Sequence, residues 1–378
     1  MTEVVRAGVI GAGHLGALHA AKYAGADGVE LVGVYDIDAA RARKVASRHH
    51  CRAFDDLGEL LSEVRCVSVA ASTVAHFEVA RAAIARGVDL LVEKPLAATA
   101  AEATTLVEAA EAAGVLLQVG HLERFNPAFA DLPSIIGHPR FIECHRLSPF
   151  AGRGVDTDVI FDVMIHDLDL IAFVVGRELV SVEAIGVPVL SDHADISNAR
   201  LRFEGGCIAN VTASRVSLKR ERRLRIFQED AYVAVDFDAR TLRVVRKRPG
   251  AGAFDPAAPM DSIVVEERTF GDDADPLRAE IEAFVAAVRA GGARAGVVLP
   301  PGIAVSGREA LVALVIAERV REASTEERLR EASTEERLRE ASTEERVREA
   351  STEERLREAS MEECLREAAQ AKAASADD

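Results

Sequence analysis

An acid and a histidine interrupt an otherwise apolar stretch, VIFDVMIHDLDLIAFVV, at Asp162 and His166. Residues four apart on a helix lie on one face, so these two side chains can meet a single ligand. An imidazole titrates near neutral pH, which suits a general base that removes a hydroxyl proton. Considered alone, His166 is better explained as a buried core histidine, so the catalytic interpretation depends on the rest of the chain.

A lysine stands at the end of a second apolar segment, where Glu93, Lys94 and Pro95 follow the letters DLLV. The carboxyl ends of strands in open α/β sheets face the ligand crevice. A charged pair at such a place is either functional or part of a surface turn, and the surface turn is the more common outcome. Lys94 therefore needs the same supporting context as His166.

A nucleotide site is indicated near the N-terminus, where VVRAGVIGAGHLGALHAAKYA is typical of a strand, a glycine turn and a helix. Gly11, Gly13 and Gly16 have the GxGxxG spacing, which allows a tight turn, a close approach of pyrophosphate and close helix packing. The phosphates would lie on the free N–H groups at the helix start, beside His14 and Leu15. We predict that these five residues contact a dinucleotide.

An acid at the end of the next predicted strand, VELVGVYD, supports this site. Asp36 follows Gly16 by 20 residues. A carboxylate there accepts hydrogen bonds from the adenosine ribose hydroxyls and repels a 2′-phosphate, so NAD is favoured over NADP. The alternative is a nucleotide-free α/β domain with a chance glycine turn.

The order of the predicted elements gives an α/β fold class with two domains. Apolar strands alternate with helices up to residue 122, which predicts a doubly wound parallel sheet, a Rossmann domain, over residues 1–122. Residues 123–320 change to segments in which apolar and polar residues alternate, such as RFIECHRLS and AYVAVDFDARTLRVVRKR. This pattern favours an α+β domain with an open, mainly antiparallel sheet.

A charged tail follows over residues 321–378, where the nine-residue unit REASTEERL is nearly copied several times. Nine residues advance a helix by about two and a half turns, so the apolar residue of each unit alternates between opposite sides. No coiled-coil seam results. We expect a solvated helix, for which a neutral repeat expansion is favoured over a partner-binding arm.

The composition narrows the class of protein. The 378 residues carry a net charge of -16, which argues against a nucleic-acid surface. No apolar run is long enough to span a membrane, and the N-terminus shows no signal-peptide pattern, so a cytoplasmic address is expected. The five cysteines are scattered without a CxxC pair, and no metal site is predicted.

The segments GVIGAGHLG, STVAH and VEKP and the later Asp-x-x-x-His together resemble the glucose–fructose oxidoreductase/inositol dehydrogenase (Gfo/Idh/MocA) family over residues 5–320. The resemblance implies an NAD-dependent enzyme that oxidises a sugar hydroxyl, with Lys94 beside the nicotinamide and the reacting hydroxyl. His166 would then be the general base, and Asp162 would orient the substrate or the imidazole. Lys94 would stabilise the developing negative charge.

Two segments depart from the usual family pattern. Ala-Ser-Thr replaces Thr-Pro-Asn ahead of His76, and Met164 replaces the glycine between the aspartate and the histidine. The resemblance still implies that Ser72, His76 and Glu93 lie at the cofactor. The departures point to a subgroup, so the substrate of other members cannot simply be transferred.

The segments GHLERFNP and RGVDTDVIFDVMIHDLDL resemble the UDP-N-acetylglucosamine 3-dehydrogenase subgroup. This implies oxidation of the 3-hydroxyl to a 3-keto nucleotide sugar, on a route to amide-linked lipid A. We expect Arg124, Asn126, Arg153 and Asp169 to contact the substrate. The two arginines could bind a diphosphate bidentately, although each could equally be an ordinary surface arginine.

Two alternative functions remain open from the sequence. One is an inositol or free-sugar dehydrogenase, and the other is a non-catalytic NAD-binding regulator on the same fold. The presence of Lys94, Asp162 and His166 together favours an enzyme, because a regulator does not need a proton-relay set. The resemblance also implies a homo-oligomer, a dimer or tetramer, formed through the sheet of the second domain.

Overall fold

The structure is a computed structural model that describes residues 4–150, 157–248, 257, 259–271, 274–295 and 303–328. Residues Met1–Ser324 form one compact unit, and Thr325–Asp378 form another. The predicted repeat tail from residue 329 onward lies outside the described residues.

Six strands and five helices alternate in the first third of the chain. They are β1 (Val5–Ile10), α1 (His14–Ala24), β2 (Val29–Tyr35), α2 (Ala39–Arg48), β3 (Arg52–Phe54), α3 (Leu57–Glu63), β4 (Cys66–Val69), α4 (Thr73–Ala85), β5 (Asp89–Glu93), α5 (Ala100–Ala113) and β6 (Leu117–Gly120). The strands are parallel and lie in the order β6-β5-β4-β1-β2-β3. The apolar strands are buried between the helix layers, which confirms the predicted Rossmann fold.

A second sheet of eight strands follows. Its strands are β7 (Pro139–Leu147), β8 (Leu179–Val187), β9 (Ile196–Phe203), β10 (Ile208–Ser214), β11 (Glu221–Gln228), β12 (Ala231–Asp236), β13 (Thr241–Lys247) and β14 (Ile263–Thr269). Their order is β14-β13-β12-β11-β7-β10-β9-β8, and every pair is antiparallel except β7 with β10. The mainly antiparallel character predicted from the alternating pattern is confirmed.

Helix α6 (Pro127–Ala130) lies between β6 and β7 in the chain, and helix α7 (Ile165–Val175) lies between β7 and β8. Helix α7 packs on β7 and buries Ile165, Leu168 and Ile171, so the apolar run covers the inner face of the second sheet. The turn that leads into α7, Ile160–Met164, is π-helical. Helix α7 therefore begins where the two sheets face each other.

The last part of the described chain returns to the first sheet. Strand β15 (Val305–Ser306) pairs antiparallel with β6. Helix α8 (Pro276–Arg289) packs on α1 and β1 through Leu277, Ile281 and Phe284. Helix α9 occupies residues 307–328. Both sheets belong to one compact unit, Met1–Ser324.

No helix in the described ranges combines the length and the apolar character needed to cross a bilayer. Within the same ranges, no group of three or more His, Cys, Asp or Glu side chains could hold a metal ion.

Candidate active site

A cavity of about 780 Å³ lies between the carboxyl edge of the Rossmann sheet and the inner face of the second sheet. The first sheet contributes the start of α1, the end of β5 and the end of β6. The second contributes the end of β7, the π-helical turn and the start of α7, and the segment from Arg215 to Arg222. Ligand sites at the carboxyl ends of parallel strands are expected in this fold.

Lys94 enters this cavity directly after β5. Its Nζ atom donates a hydrogen bond of 2.6 Å to the backbone carbonyl of Asp162. The same Nζ lies 3.7 Å from the Asp162 carboxylate. Burial lowers the pKa of Lys94, while the negative charges of Asp162 and Glu93 act in the opposite direction. The lysine and the aspartate, 68 residues apart in the chain, are therefore brought together.

The backbone around Asp162 differs from the plain α-helix that the sequence indicates. Residues Ile160–Met164 form a π-helical turn, and α7 proper starts at Ile165. A π turn breaks the regular i to i−4 ladder and is often found at functional sites. Here the Asp162 carbonyl accepts a hydrogen bond from Lys94, and both Asp162 and His166 line the cavity.

His166 lies in the first turn of α7. Its Nδ1 atom is buried and has no hydrogen-bond partner among the described residues, so Nε2 is the nitrogen available to a ligand in the cavity. Burial, together with the positive charges of Lys94 and Arg146, holds the pKa of His166 well below its usual value. The imidazole is therefore neutral at neutral pH, which is the form that accepts a proton.

The glycine turn has the geometry that a dinucleotide requires. Gly11 has a φ of +95°, which is unfavourable for other residues. A Cβ at Gly16 would lie 1.8 Å from the Gly11 carbonyl oxygen, so helix and turn can meet only without that side chain. A Cβ at Gly13 would meet no atom within 4 Å and would point into open space. The turn therefore leaves room for a ligand at Gly13.

The start of α1 can hold the phosphates. Gly13 is the N-cap residue, and no side chain caps the helix, so the first N–H groups are available to an anion. His14 and Leu15 are exposed and line the cavity. The residues present thus fit the pyrophosphate of NAD.

Asp36 follows β2, and its carboxylate is held by backbone N–H groups of nearby residues. Its carboxylate accepts hydrogen bonds from the N–H groups of Ala12, at 2.6 Å, and Asp38, at 2.8 Å. Arg41, the next cation along the chain, bonds the Asp38 carboxylate at 2.9 Å. The acid is therefore held against the glycine turn, where an adenosine ribose would lie.

Three further residues were predicted at the cofactor, Ser72, His76 and Glu93, and they differ from one another in exposure. Ser72 is exposed at the start of α4 and makes no capping bond. His76 is 1% exposed, and its ring nitrogens lie 2.8 Å from the Pro95 carbonyl and 3.1 Å from the Ala71 carbonyl. His76 is therefore buried with both ring nitrogens beside protein carbonyls, and its predicted contact with the cofactor stays a prediction.

Glu93 lines the cavity but is anchored from behind. Its carboxylate lies 2.9 Å from Nε2 of His19, whose Nδ1 is 2.9 Å from the Ser68 hydroxyl. The hydroxyl of Tyr23 is 2.8 Å from the same Ser68 oxygen. This buried chain of hydrogen bonds fixes Glu93, which stands next to Lys94.

Three of the four residues predicted to contact the substrate are buried inside the protein, and their substrate contact stays a prediction. Arg124 is 1% exposed; two of its nitrogens bond the Asp169 carboxylate at 2.8 and 2.7 Å, and a third bonds Glu309 at 2.8 Å. Asn126 caps α6 and donates to the Phe237 carbonyl. None of Arg124, Asn126 and Asp169 lines the cavity, because each is engaged inside the protein. The fourth, Arg153, lies outside the described residues.

Other arginines, which the sequence interpretation missed, do line the cavity. Arg146 occupies an inward-facing position of β7, and Arg222 occupies an inward-facing position of β11. Arg146 is buried and bonds Asp167 bidentately at 2.7 to 3.0 Å. An arginine at an inward-facing position of an alternating strand is the signal that could have found them.

Glu123 joins these arginines at the cavity wall. It accepts hydrogen bonds from Arg146 at 2.7 Å and from Arg222 at 3.2 Å. Burial opposes ionisation of Glu123, but the two guanidinium charges outweigh it and hold its pKa below the usual value. The carboxylate is therefore charged and keeps the two arginines in place.

The cavity lining is richer in basic than in acidic side chains, although the chain as a whole is acidic, with a net charge of -16. Its lining includes five basic side chains and only three acidic ones. The basic residues are Lys94, Arg146, Arg215, Arg220 and Arg222. Guanidinium and ammonium groups offer charge-assisted hydrogen-bond donors, so this excess of basic groups suits an anionic ligand.

Comparisons with known proteins identify the family. A family model described as the oxidoreductase family, NAD-binding Rossmann fold, matches residues 5–121, and the GFO/IDH/MocA C-terminal domain matches residues 135–234. The chain belongs to the Gfo/Idh/MocA oxidoreductase family. This confirms the predicted resemblance, the enzyme class and the NAD cofactor.

Individual relatives agree with this assignment. The UDP-N-acetylglucosamine 3-dehydrogenase of Acidithiobacillus ferrooxidans is 42% identical over 287 residues, which is 76% of this chain and 89% of the relative. A solved structure of that enzyme has a TM-score of 0.76 at 39% identity and covers 84% of this chain and 97% of its own. The inositol 2-dehydrogenase of Acidothermus cellulolyticus is 35% identical over 192 residues, 48% of this chain and 56% of the relative.

Proposed function

We propose that this Gfo/Idh/MocA enzyme oxidises a secondary hydroxyl of a nucleotide sugar, the 3-hydroxyl of UDP-N-acetylglucosamine. The observation that carries the proposal is the arrangement of one cavity. It brings a neutral imidazole, an ammonium and a group of arginines into one cavity lining. A sugar would react at the imidazole and the ammonium while its diphosphate is bound by the arginines.

At the reacting end, each residue has one part in the chemistry. NAD, when bound, supplies the hydride acceptor. His166 removes the hydroxyl proton through Nε2, since its neutral form prevails at neutral pH. Lys94 donates a hydrogen bond to the same oxygen and stabilises the negative charge that develops there. Asp162 holds the ammonium in place through its carbonyl.

For the diphosphate, Arg220 and Arg222 are the most exposed of the arginines that line the cavity. Both lie near the Asp238 carboxylate, at 2.8 and 3.6 Å, and Arg222 also contacts Glu123. A guanidinium presents a planar set of donors that matches a phosphate group bidentately. A diphosphate is therefore the ligand chemistry that suits this wall.

The alternatives fit these observations less well. An uncharged inositol or free sugar gains nothing from an arginine wall, and the inositol dehydrogenase match covers only 48% of this chain. A non-catalytic regulator has no need of a lysine, an aspartate and a neutral histidine that converge on one cavity. The nucleotide-sugar enzyme uses both features.

A substrate panel tests the proposal. NADH formation would be measured with UDP-N-acetylglucosamine, N-acetylglucosamine, UDP-glucose and myo-inositol at fixed NAD. We expect UDP-N-acetylglucosamine to have the highest kcat/KM, at least about 100-fold above free N-acetylglucosamine, because each charge-assisted phosphate contact contributes about 1.5–3 kcal/mol. Equal kcat/KM for the free and the nucleotide-linked sugar would reject the diphosphate role. NAD binding without turnover of any substrate would favour the regulator.

The metabolic and cellular setting is part of the same proposal. A 3-keto nucleotide sugar is a substrate for amination, which places the product on a route to amide-linked lipid A. The described cysteines, Cys51, Cys66, Cys144 and Cys207, are free thiols, which suits a cytoplasmic enzyme.

We also propose a homo-oligomer formed through the outer face of the second sheet. This face carries an aromatic group, in which the rings of Phe141 and Phe227 lie 5.7 Å apart and those of Phe227 and Tyr232 lie 5.0 Å apart. Ile185 and Val265 are also more than 40% exposed on its strands. The molar mass in solution, by light scattering, is expected to be that of a dimer or tetramer. A monomer at micromolar concentration would contradict this.

A further inference from the structure

A second histidine lies directly behind His166. His121 follows β6, is 1% exposed, and has no hydrogen-bond partner for either ring nitrogen among the described residues. Its ring centroid is 6.2 Å from that of His166, with the planes at 83°. Its Nδ1 atom lies 3.8 Å from the Asp169 carboxylate. Two imidazoles and a carboxylate therefore form a row that leads away from the cavity.

This row contains three buried nitrogens that find no hydrogen-bond partner in the described part of the chain: Nδ1 of His166 and both ring nitrogens of His121. Buried polar atoms almost always have a partner, because leaving one unpaired costs about 1–3 kcal/mol. The 6.2 Å separation of the rings is too long for a direct hydrogen bond between them. A single water molecule between the rings would satisfy two of these nitrogens.

We infer that His121 is a second proton acceptor of the reaction, linked to His166 by one water molecule and paired with Asp169. This inference rests on the proposed role of His166 as the general base. It extends that role by giving the substrate proton a destination inside the protein.

The transfer balances in atoms and charge. As the hydride leaves the substrate carbon, the hydroxyl O–H bond breaks, its electron pair forms the carbonyl, and the proton binds Nε2 of His166. The proton on Nδ1 of His166 passes to the water, and a proton of the water passes to His121. His166 ends neutral with its tautomer reversed, and His121 ends as an imidazolium beside the Asp169 carboxylate. Solvent removes that proton after the product leaves.

The charges around the two rings favour this direction. His166 faces Lys94, Arg146 and Arg222, all positive, and burial together with these charges lowers its pKa strongly. His121 is also buried, which lowers its pKa, but there the Asp169 carboxylate opposes the effect of Arg124 and Lys94. Glu93 acts in the same direction as Asp169. A proton is therefore held more readily on His121 than on His166.

The variant His121→Gln tests the inference, because glutamine keeps hydrogen bonding but cannot accept a proton. In single turnovers we expect the rate of NADH formation to fall at least about ten-fold. The substrate KM and the affinity for NADH should change less than about two-fold, since neither ligand touches His121. Imidazole added to His121→Ala should restore part of the rate. A His121→Gln rate within two-fold of wild type would overturn the inference.

If His121→Gln does not fold, measurements on the wild-type enzyme still test the proton relay. The rate of NADH formation would be measured across mixtures of H₂O and D₂O. A relay moves two or more protons, so the rate should fall along a curved line with deuterium content; a straight line, or no isotope effect, would overturn it. A high-resolution crystal structure should show a water between the rings, and a gap without water would contradict the relay.

The variant His166→Asn separates the relay from the proposed function. Full activity in that variant would reject the role of His166 itself.

Discussion

The proposed cofactor wall, beside the cavity, and the proposed substrate wall, in its lining, present different kinds of group to a ligand. The cofactor wall is mostly backbone: a glycine turn, the free N–H groups of α1 and one carboxylate, Asp36. The substrate wall is built of charged side chains, in which Arg146 and Arg222 share Glu123. Cofactor binding therefore depends on main-chain shape, whereas substrate choice depends on side chains that can be replaced one at a time. This is a physical reason why one fold serves many substrates.

Two arginines near the cavity, Arg124 and Arg222, show a second contrast. Arg124 is sealed by Asp169 and Glu309 and serves stability, while Arg222, 36% exposed, remains available to a ligand. The same residue type thus has two uses that only the surroundings distinguish. Substitutions at matched positions should separate catalysis, folding and recognition.

The largest effect is expected for Lys94→Ala. Loss of the ammonium removes the donor to the reacting oxygen and should lower kcat by about 10²–10⁴-fold. NADH affinity, followed by NADH fluorescence, should change little. Lys44→Ala, on an exposed part of α2, is the control and should be neutral. If NADH affinity fell while kcat held, Lys94 would be a cofactor anchor and not part of the chemistry.

Arg124→Ala should act on folding. It would leave Asp169 buried without its partner, which is expected to cost about 3–5 kcal/mol of unfolding free energy. Chemical denaturation at pH 7 measures this. Arg222→Ala, which removes a half-exposed arginine, should lose less than about 1 kcal/mol. Equal losses of unfolding free energy in the two variants would contradict the distinction between a structural Arg124 and a ligand-accessible Arg222.

The glycine turn offers a matched pair on the cofactor wall. Gly16→Ala places a Cβ against the Gly11 carbonyl, so it should lower the melting temperature. Gly13→Ala meets no protein atom and should keep the melting temperature, but its methyl group enters the space for the pyrophosphate. We expect NADH affinity to fall about ten-fold or more in Gly13→Ala. Unchanged affinity would show that the dinucleotide does not approach this glycine.

Arg222→Ala should affect substrate recognition more than turnover. The KM for UDP-N-acetylglucosamine is expected to rise about ten-fold, because one charge-assisted contact is lost. NADH affinity should stay the same. Arg223→Ala, the neighbour on β11 that pairs with Asp236, is the control. A KM change of the same size in both variants would mean that general charge, and not position, is responsible.

The smallest effect is a shift in the pH profile. Since the pKa of His166 is held below the usual value of about 6.5, its neutral form persists as the pH falls through that value. The kcat/KM should therefore begin to fall only below about pH 6.5 on the acid side. A pH series of kcat/KM measures this. An acid limb centred above pH 6.5 would contradict the burial of the imidazole.

The shape of the glycine turn could be predicted from the sequence because its signals are local. The glycines and Asp36 lie within 26 residues, and each one reports the backbone geometry of its own turn. The alternating segments likewise predicted the second sheet, because period two directly reports one buried face. The return of β15 and α8 to the first sheet had no such signal, since nothing in either segment identifies its distant partner.

The substrate wall was harder to predict because its residues converge from separate elements. Arg124 and Arg222 look alike in sequence, yet one is buried by an acid 45 residues away and the other reaches the cavity. Lys94, Asp162 and His166 were placed together only through a family resemblance. Their spacing could not show that a π-helical turn directs the Asp162 carbonyl toward the lysine.

The most direct test of the account is the single-turnover rate of NADH formation from UDP-N-acetylglucosamine by His166→Asn, measured beside its NADH affinity. If His166 takes the substrate proton while Lys94 holds the oxygen, the rate should fall at least about 100-fold and the affinity should stay within two-fold of wild type. A rate within about three-fold of wild type, with NADH bound normally, would contradict the proposed meeting of imidazole and ammonium on one hydroxyl.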